Sequence, residues 1–254
     1  MNRIKIEKKQ LQEGNLILVN AKHPIGERQG EKPLIQIGSE KMEPQAGKLL
    51  LHLLAKIDYK GQILAVSGYR SKREQAAIYT RSLEENGTEF TEKYVALPGC
   101  SEHQTGLAID LGENREKIDY IRPDFPDSGI CRTFREAAPE YGFVERYREG
   151  KESLTGIASE PWHFRYVGFP HSRIMAERGM VLEEYILFLK QYLFEKNPLI
   201  YETPKGRIEI SCLPAVQEED NECWIQLPEA VPYQLSGNNE DGMILTIFTE
   251  KGRG

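Results

Sequence analysis

Several things are scarce in this chain of 254 residues, and each scarcity excludes a class of protein. Long apolar runs are missing. The two longest, around Leu49 to Leu54 and Ile186 to Phe194, are short and interrupted by His52, Lys190 and Gln191, so no membrane span is expected. Basic residues are outnumbered, and the net charge of -6 argues against a general nucleic-acid binder. The first nine residues carry charge but lead into no apolar stretch, so no secretory signal is read and a cytoplasmic location is expected. Cysteine is sparse: Cys100, Cys131, Cys212 and Cys223 lack CxxC spacing and are expected to be reduced, mostly buried thiols. There is no HExxH helix, no GxSxG elbow, no P-loop, no repeat and no low-complexity tract.

Two stretches carry chemistry instead. Ser101-Glu102-His103-Gln104-Thr105-Gly106-Leu107-Ala108-Ile109-Asp110 offers an imidazole and a carboxylate seven positions apart with a glycine turn between them. Leu107, Ile109 and Leu111 alternate with Ala108 and Asp110, which predicts a strand with its apolar side to the core and Asp110 on the opposite face. Glu160-Pro161-Trp162-His163 adds a second imidazole with a carboxylate three residues before it. In an ideal strand Glu160 and His163 face opposite ways, so joint action requires the backbone to bend near Pro161-Trp162. Trp162 fits core filler and substrate wall equally. Two imidazoles and one carboxylate fill three positions of a zinc site and leave the fourth for water, with Glu160 as base. Cys100 and His103, in C-x-x-H spacing, and His171, after a proline, are the rivals for ligand positions; no second C-x-x-H pair exists, and His171 suits a structural role.

The remaining chain reads as scaffold. Strand-like runs are expected at Leu16-Ile17-Leu18-Val19 and Leu34-Ile35-Gln36-Ile37, with a loop between them holding an exposed His23. Met42 to Ile57 is expected as a helix burying Leu49, Leu50, Leu53, Leu54 and Ile57, with His52 in solvent. Ile63 to Val66 is a strand. Ser71-Lys72-Arg73-Glu74 has the form of a capping box, opening a helix to about Glu85 that Asn86-Gly87 stops. Arg70 then stands just before a helix N-terminus with Gln75 one turn inside, a setting for an anion or for an ion pair with Glu74. Residues 112–130 and 147–156 read as loops, Phe134 to Tyr141 and Leu182 to Phe194 as helices. Beyond Asn197-Pro198 come strand-like runs at Leu199 to Tyr201, Arg207 to Ile210, Cys223 to Leu227 and Met243 to Phe248, with an acidic loop at Glu218-Glu219-Asp220. The expected class is α+β: a small antiparallel sheet with helices around a zinc cleft over residues 1–197, and a β-rich appendage over 198–254.

Ser67-Gly68-Tyr69-Arg70-Ser71, the Ser-x-His-x-x-Gly-x-Ala-x-Asp pattern at 101–110, and Glu160 through Gly168 together resemble the zinc D,D-peptidases of the VanY and VanX type. Leu18-Val19-Asn20, Phe134-Arg135 and Glu145-Arg146-Tyr147 look similar too, so the resemblance spans roughly residues 10 to 195. Without an export signal the chain looks most like the cytoplasmic bifunctional VanXY enzymes. The resemblance implies zinc on His103, Asp110 and His163, with Glu160 as general base and Arg70 as a catalytic group. It implies Arg70, Gln75, Ser101 and Trp162 lining the substrate site; by its chemistry Arg70 can stabilise the tetrahedral oxyanion or grip a substrate carboxylate. It also implies D-Ala-D-Ala and peptidoglycan precursor peptides as substrates, so that vancomycin loses its target. An L-alanyl-D-glutamate endopeptidase of the same fold and a non-catalytic wall-precursor binding module are the alternatives. The C-terminal β segment is not part of the resemblance.

Overall fold

The structure, a computed structural model of the chain, describes residues 2–26, 33–214 and 222–250. In chain order its elements begin with strands β1 (Asn2–Glu7), β2 (Ile35–Ile37) and β3 (Glu40–Met42). Helix α1 (Pro44–Lys56), β4 (Ile63–Ser67), α2 (Lys72–Tyr94), β5 (Ala108–Glu113) and α3 (Gly129–Ala137) follow. Then come β6 (Phe143–Tyr147), α4 (Glu152–Thr155), β7 (Glu160–Tyr166), α5 (His171–Arg178) and α6 (Leu182–Leu189). Strands β8 (Leu199–Thr203), β9 (Gly206–Pro214), β10 (Glu222–Leu227), β11 (Tyr233–Gly237) and β12 (Gly242–Glu250) complete the series. The class is α+β, with antiparallel sheets, helices and a β-rich C-terminal region.

Two compact units are formed, Val19–Val181 and Met1–Leu18 with Leu182–Gly254. The first is built on an antiparallel sheet of order β4-β5-β7-β6. The alternation read from sequence is realised on β5. Ile109 and Leu111 are buried against Phe125, Phe134 and Phe164, three rings in edge-to-face contact at centroid distances of 4.9 to 5.7 Å. Helix α1 closes this core. Pro44 stands in its first turn, Glu43 accepts the Ala46 N–H, and Leu50, Leu53 and Leu54 face inward while Leu49 is half-buried. His52 lies in solvent, as expected, and His23 is half-exposed.

The capping box at α2 forms as expected: the Ser71 hydroxyl accepts the Glu74 N–H and the Glu74 carboxylate accepts the Ser71 N–H. The expected stop is only a kink. Gly87 takes φ +78°, and the helix resumes to Tyr94 because the Phe90 and Tyr94 rings pack, tilted, at 4.8 Å and Thr91 is buried on Ser82 at 2.7 Å. The third expected helix begins earlier, at Gly129, and ends as a 3-10 turn over Ala138–Tyr141.

The second unit holds an antiparallel sheet of order β11-β12-β9-β8 and a two-stranded ribbon of β1 with β10. Ile6, Leu213, Ile225, Leu227, Met243 and Leu245 form its core. The boundary expected at 197/198 differs from these units. Strand β1, which the sequence reading did not single out, pairs residue for residue with β10 from Asn2↔Leu227 to Glu7↔Glu222. Leu16-Ile17-Leu18-Val19 is buried but joins no ladder; the Leu16 N–H goes to Ser236 Oγ and the Leu18 N–H to the Asn238 carbonyl. Downstream, the Cys212 N–H donates to the Tyr192 carbonyl, so the segment after α6 also belongs here. The acidic loop expected at 218–220 lies outside the described residues.

Because Phe134 is fully buried between two rings, Phe134→Ala should lower the unfolding free energy by about 3–5 kcal/mol. Urea titration would read this as a lower midpoint with little change in slope. A loss below about 1 kcal/mol would show that the aromatic cluster is not the core of this unit.

Candidate active site and metal centre

The site begins with a strand register. Strands β5 and β7 run antiparallel with Asp110 directly opposite His163, which puts both side chains on one face of the sheet. Asp110 Oδ1 lies 2.9 Å from His163 Nδ1. His103 arrives from a 3-10 turn, Glu102–Thr105, that Gly106 ends with φ +73°. Its Nε2 is 3.2 Å from Asp110 Oδ2, and its ring meets that of His163 edge-on at 4.9 Å. One donor atom from each of the three residues lies within 4.8 Å of the other two. His171, buried at the start of α5 and pushed down to about 3 by that burial, lies outside this trio, as does the half-buried Cys100.

Both outer nitrogens are held. His103 Nδ1 faces the Gly68 carbonyl at 2.8 Å, so it must donate, and Nε2 turns its lone pair to the site. His163 Nε2 faces Glu102 Oε2 at 3.4 Å, and the Tyr147 ring covers the imidazole at 4.8 Å. Glu102 is the residue that the sequence analysis passed over. It is fully buried and meets Arg146 Nε at 2.8 Å and Arg165 Nη1 at 2.9 Å. Burial opposes its ionisation, but the two guanidiniums outweigh that and hold the carboxyl well below the usual range. A signal was present: Arg165 is two residues beyond His163 on a strand, hence on the same face, and a buried guanidinium there demands a carboxylate.

Glu160 and His163 do come together. Strand β7 pairs Phe164 with Glu145 but Glu160 with Tyr147, so four residues span what two span on β6. That bulge turns Glu160 to the His163 side, with Oε2 3.8 Å from Nδ1. Burial above all pushes the Glu160 carboxyl up to about 8, with Asp110 and Glu102 adding to it against His163 and Arg70. Asp110 shows the opposite outcome. Burial opposes its charge, yet His103 and His163 hold it far below the ordinary carboxylate range. Burial also lowers His103, aided by Arg70, whereas at His163 the hydrogen bonds that it donates to Asp110 and Glu102 overcome burial and raise it to about 9.

Arg70 reaches into the centre rather than pairing with Glu74. Its Nη2 lies 3.1 Å from Asp110 Oδ2 and 3.3 Å from His103 Nε2. Ser67 Oγ accepts from its Nε at 2.8 Å, and Gln75 Oε1 from Nη1 at 3.2 Å. Gln75, itself bonded to the Ala96 carbonyl, thus orients the guanidinium. Ser101, Gln75 and Trp162 all line a cavity of about 270 Å³ that contains the trio. Trp162 also packs on the apolar core, so it serves as both core and wall.

The donor chemistry suits a divalent ion. One carboxylate is held ionised, and two imidazoles have their outer nitrogens committed to a carbonyl and a carboxylate, the arrangement that orients histidine ligands of zinc.

A family model described as VanY: D-alanyl-D-alanine carboxypeptidase matches residues 39–169. The chain is 41% identical over 181 residues to the bifunctional D-Ala-D-Ala dipeptidase and D-Ala-D-Ala carboxypeptidase VanXYC of Enterococcus gallinarum, covering 69% of this chain and 95% of that one. A solved structure of the vancomycin resistance D,D-dipeptidase VanXYg with a D-Ala-D-Ala phosphinate analogue is 49% identical, with a TM-score of 0.92 over 98% of this chain and 99% of that one. A mutant of the vancomycin resistance D,D-pentapeptidase VanY from a VanB-type resistance cassette, in complex with Zn(II), is 29% identical with a TM-score of 0.56, covering 68% and 98%.

If the trio is the metal centre, the unaltered protein should carry about one zinc per chain through dialysis, and His103→Ala and His163→Ala should each abolish that retention. Glu102→Gln should weaken zinc affinity by roughly 10–100-fold, as loss of a partner to a ligating histidine does. Elemental analysis and competition with a chromogenic chelator measure both; full zinc retention by His163→Ala would place the metal elsewhere.

Proposed function

The chain belongs to the VanY family of D-alanyl-D-alanine carboxypeptidases, and from that membership we propose that it hydrolyses the D-Ala-D-Ala dipeptide and removes the terminal D-Ala from peptidoglycan pentapeptide precursors, thereby contributing to vancomycin resistance. The observation that carries this reading is the buried Glu160 carboxyl brought by a strand bulge to the face that holds His103, Asp110 and His163. A protein that only bound wall precursors would gain nothing from a buried acid raised to about 8 beside a ligand trio.

In the proposed reaction His103, Asp110 and His163 would hold a zinc ion, and that ion would supply polarisation of a carbonyl and acidification of water. Glu160 removes the proton from the attacking water as the new C–O bond forms. It then delivers that proton to the amine nitrogen as the C–N bond breaks, so the carboxyl ends as it began. Burial raises the proton affinity of the Glu160 carboxyl, which favours its taking the water proton. Arg70, kept in place by Ser67 and Gln75, offers its guanidinium to the negative charge that gathers on the carbonyl oxygen. Ser101 and Trp162 bound the substrate, one with a hydroxyl and one with an apolar wall. Burial of the whole centre keeps bulk water from screening these charges. Cytoplasmic action belongs to the same reading; Cys100, Cys131 and Cys212 are free thiols, in keeping with a reducing compartment.

Glu160→Ala should keep its zinc while D-Ala release from D-Ala-D-Ala and from a pentapeptide falls by roughly 10²–10⁴. Chelation should silence the unaltered protein and added zinc restore it. Normal turnover by Glu160→Ala would remove Glu160 from the role of base. Parallel assays on intact cell wall, with release of peptide but no free D-Ala, would assign the chain to endopeptidases.

A further inference from the structure

The cavity is longer than the chemistry requires. Beyond the trio it continues along α2, where Gln75, Ile78, Ser82 and Glu85 follow one another at helical spacing on one face, with Arg81 beside them. Tyr94, Tyr120 and Ile121 also line this arm. The last two come from the stretch after β5, which is tied down from within and across: Asp119 accepts the N–H groups of Ile121 and Arg122, and the Arg122 guanidinium lies 5.6 Å from the rings of both Phe90 and Tyr94.

Two charges in this arm have nothing to do in the protein. Arg81 and Glu85 stand four apart on the helix, the spacing at which such groups pair, yet neither forms an ion pair or hydrogen bond among the described residues. Both are exposed and both line the cavity. Helical rise puts them about 9 and 15 Å along α2 from Gln75, which touches Arg70. An extended dipeptide spans only about 7 Å, so the arm exceeds its reach, whereas three to four further residues match it.

Resting on the function proposed above, we propose that this arm is the subsite for the upstream part of a longer peptide ending in D-Ala-D-Ala. That part presents a carboxylate to Arg81 and an ammonium to Glu85. Dipeptide hydrolysis uses the centre alone; precursor trimming uses the centre and the arm, and the two residues set the balance between the activities.

The test uses the zinc-loaded full chain and four probes: D-Ala-D-Ala, the pentapeptide L-Ala-γ-D-Glu-L-Lys-D-Ala-D-Ala, that peptide with its glutamyl carboxylate amidated, and that peptide with its lysyl ammonium acetylated. Arg81→Gln should lower the ratio of pentapeptide to dipeptide kcat/KM about fivefold, the size expected of an exposed charge contact, and should lose that effect on the amidated peptide. Glu85→Gln should do the same with the acetylated peptide. Arg132→Gln, an exposed arginine on α3, should leave the ratio as it was. An unchanged ratio in both variants, an equal loss on the neutralised peptides, or an equal loss on the dipeptide overturns the subsite. Hydrolysis of neither substrate by the unaltered chain overturns the proposed function instead. Binding of the same pentapeptides by the Glu160→Gln chain then still reads the arm: a dissociation constant insensitive to Arg81→Gln and Glu85→Gln sinks it.

Discussion

Asp110 facing His163 across the β5–β7 ladder is the constraint on which the rest depends. The same register places Ile109 opposite Phe164 on the other face, inside the aromatic core. A slip of one residue would drive Asp110 into that core and Ile109 out of it, so apolar packing on one side fixes the polar constellation on the other. The register would still leave Glu160 facing away. The bulge corrects this, and it does so where it disturbs least. Pro161 has no N–H to strand, and its carbonyl accepts from Arg135 Nη2 at 3.3 Å. Arg135 is itself held by Glu145 and lies over the Phe125 ring, so the bend rests on the core.

Buried charge is balanced unevenly, and the unevenness assigns roles within the proposed reaction. Glu102 has two arginines, Asp110 has Arg70 and two imidazoles, and Glu160 has no arginine in an ion pair among the described residues. Three carboxylates under the same burial therefore separate, two held firmly ionised and one raised to about 8. The ionised pair suits ligation and ligand support, the raised one proton transfer. Removing any single partner would leave an uncompensated charge in a dry site, which is why the set acts as one unit.

Much of this was legible in sequence because the relevant signals are local. The Ser71 capping box, the alternation on β5 and the two motifs that supply His103, Asp110, Glu160 and His163 all lie within ten residues. The need for a bend at Pro161 was also legible, since strand periodicity forbids the alternative. What escaped depends on distant chain. Glu102 carries no role in its own stretch of sequence; Arg146 and Arg165, which give it one, lie 44 and 63 positions later by the numbering. Strand β1 alternates charge at Arg3, Lys5 and Glu7 with Ile4 and Ile6, but the run is short and its partner β10 lies far along the chain, so its place in a sheet was not readable. Leu16 to Val19 has strand composition, but its N–H groups at Leu16 and Leu18 go to Ser236 and Asn238, so burial was readable and the ladder was not. At Gly87 the local stop signal is real, yet the Phe90–Tyr94 ring contact and the Ser82–Thr91 bond rebuild the helix beyond it.

The division of labour within the Val19–Val181 unit follows from which elements can hold position. The trio and Glu160 sit on paired strands or a short turn pinned by buried ion pairs, where a displacement of a fraction of an ångström is resisted by the core. The far arm of the cavity is walled by one face of α2 and by residues 120 and 121 between elements, fastened through Arg122 rather than through a ladder. Within the proposed reaction, substitutions on that wall change what length of peptide fits and leave His103, Asp110, His163 and Glu160 untouched. Similar chains whose names differ in substrate, a D,D-dipeptidase and a D,D-pentapeptidase among them, are what such a separation permits.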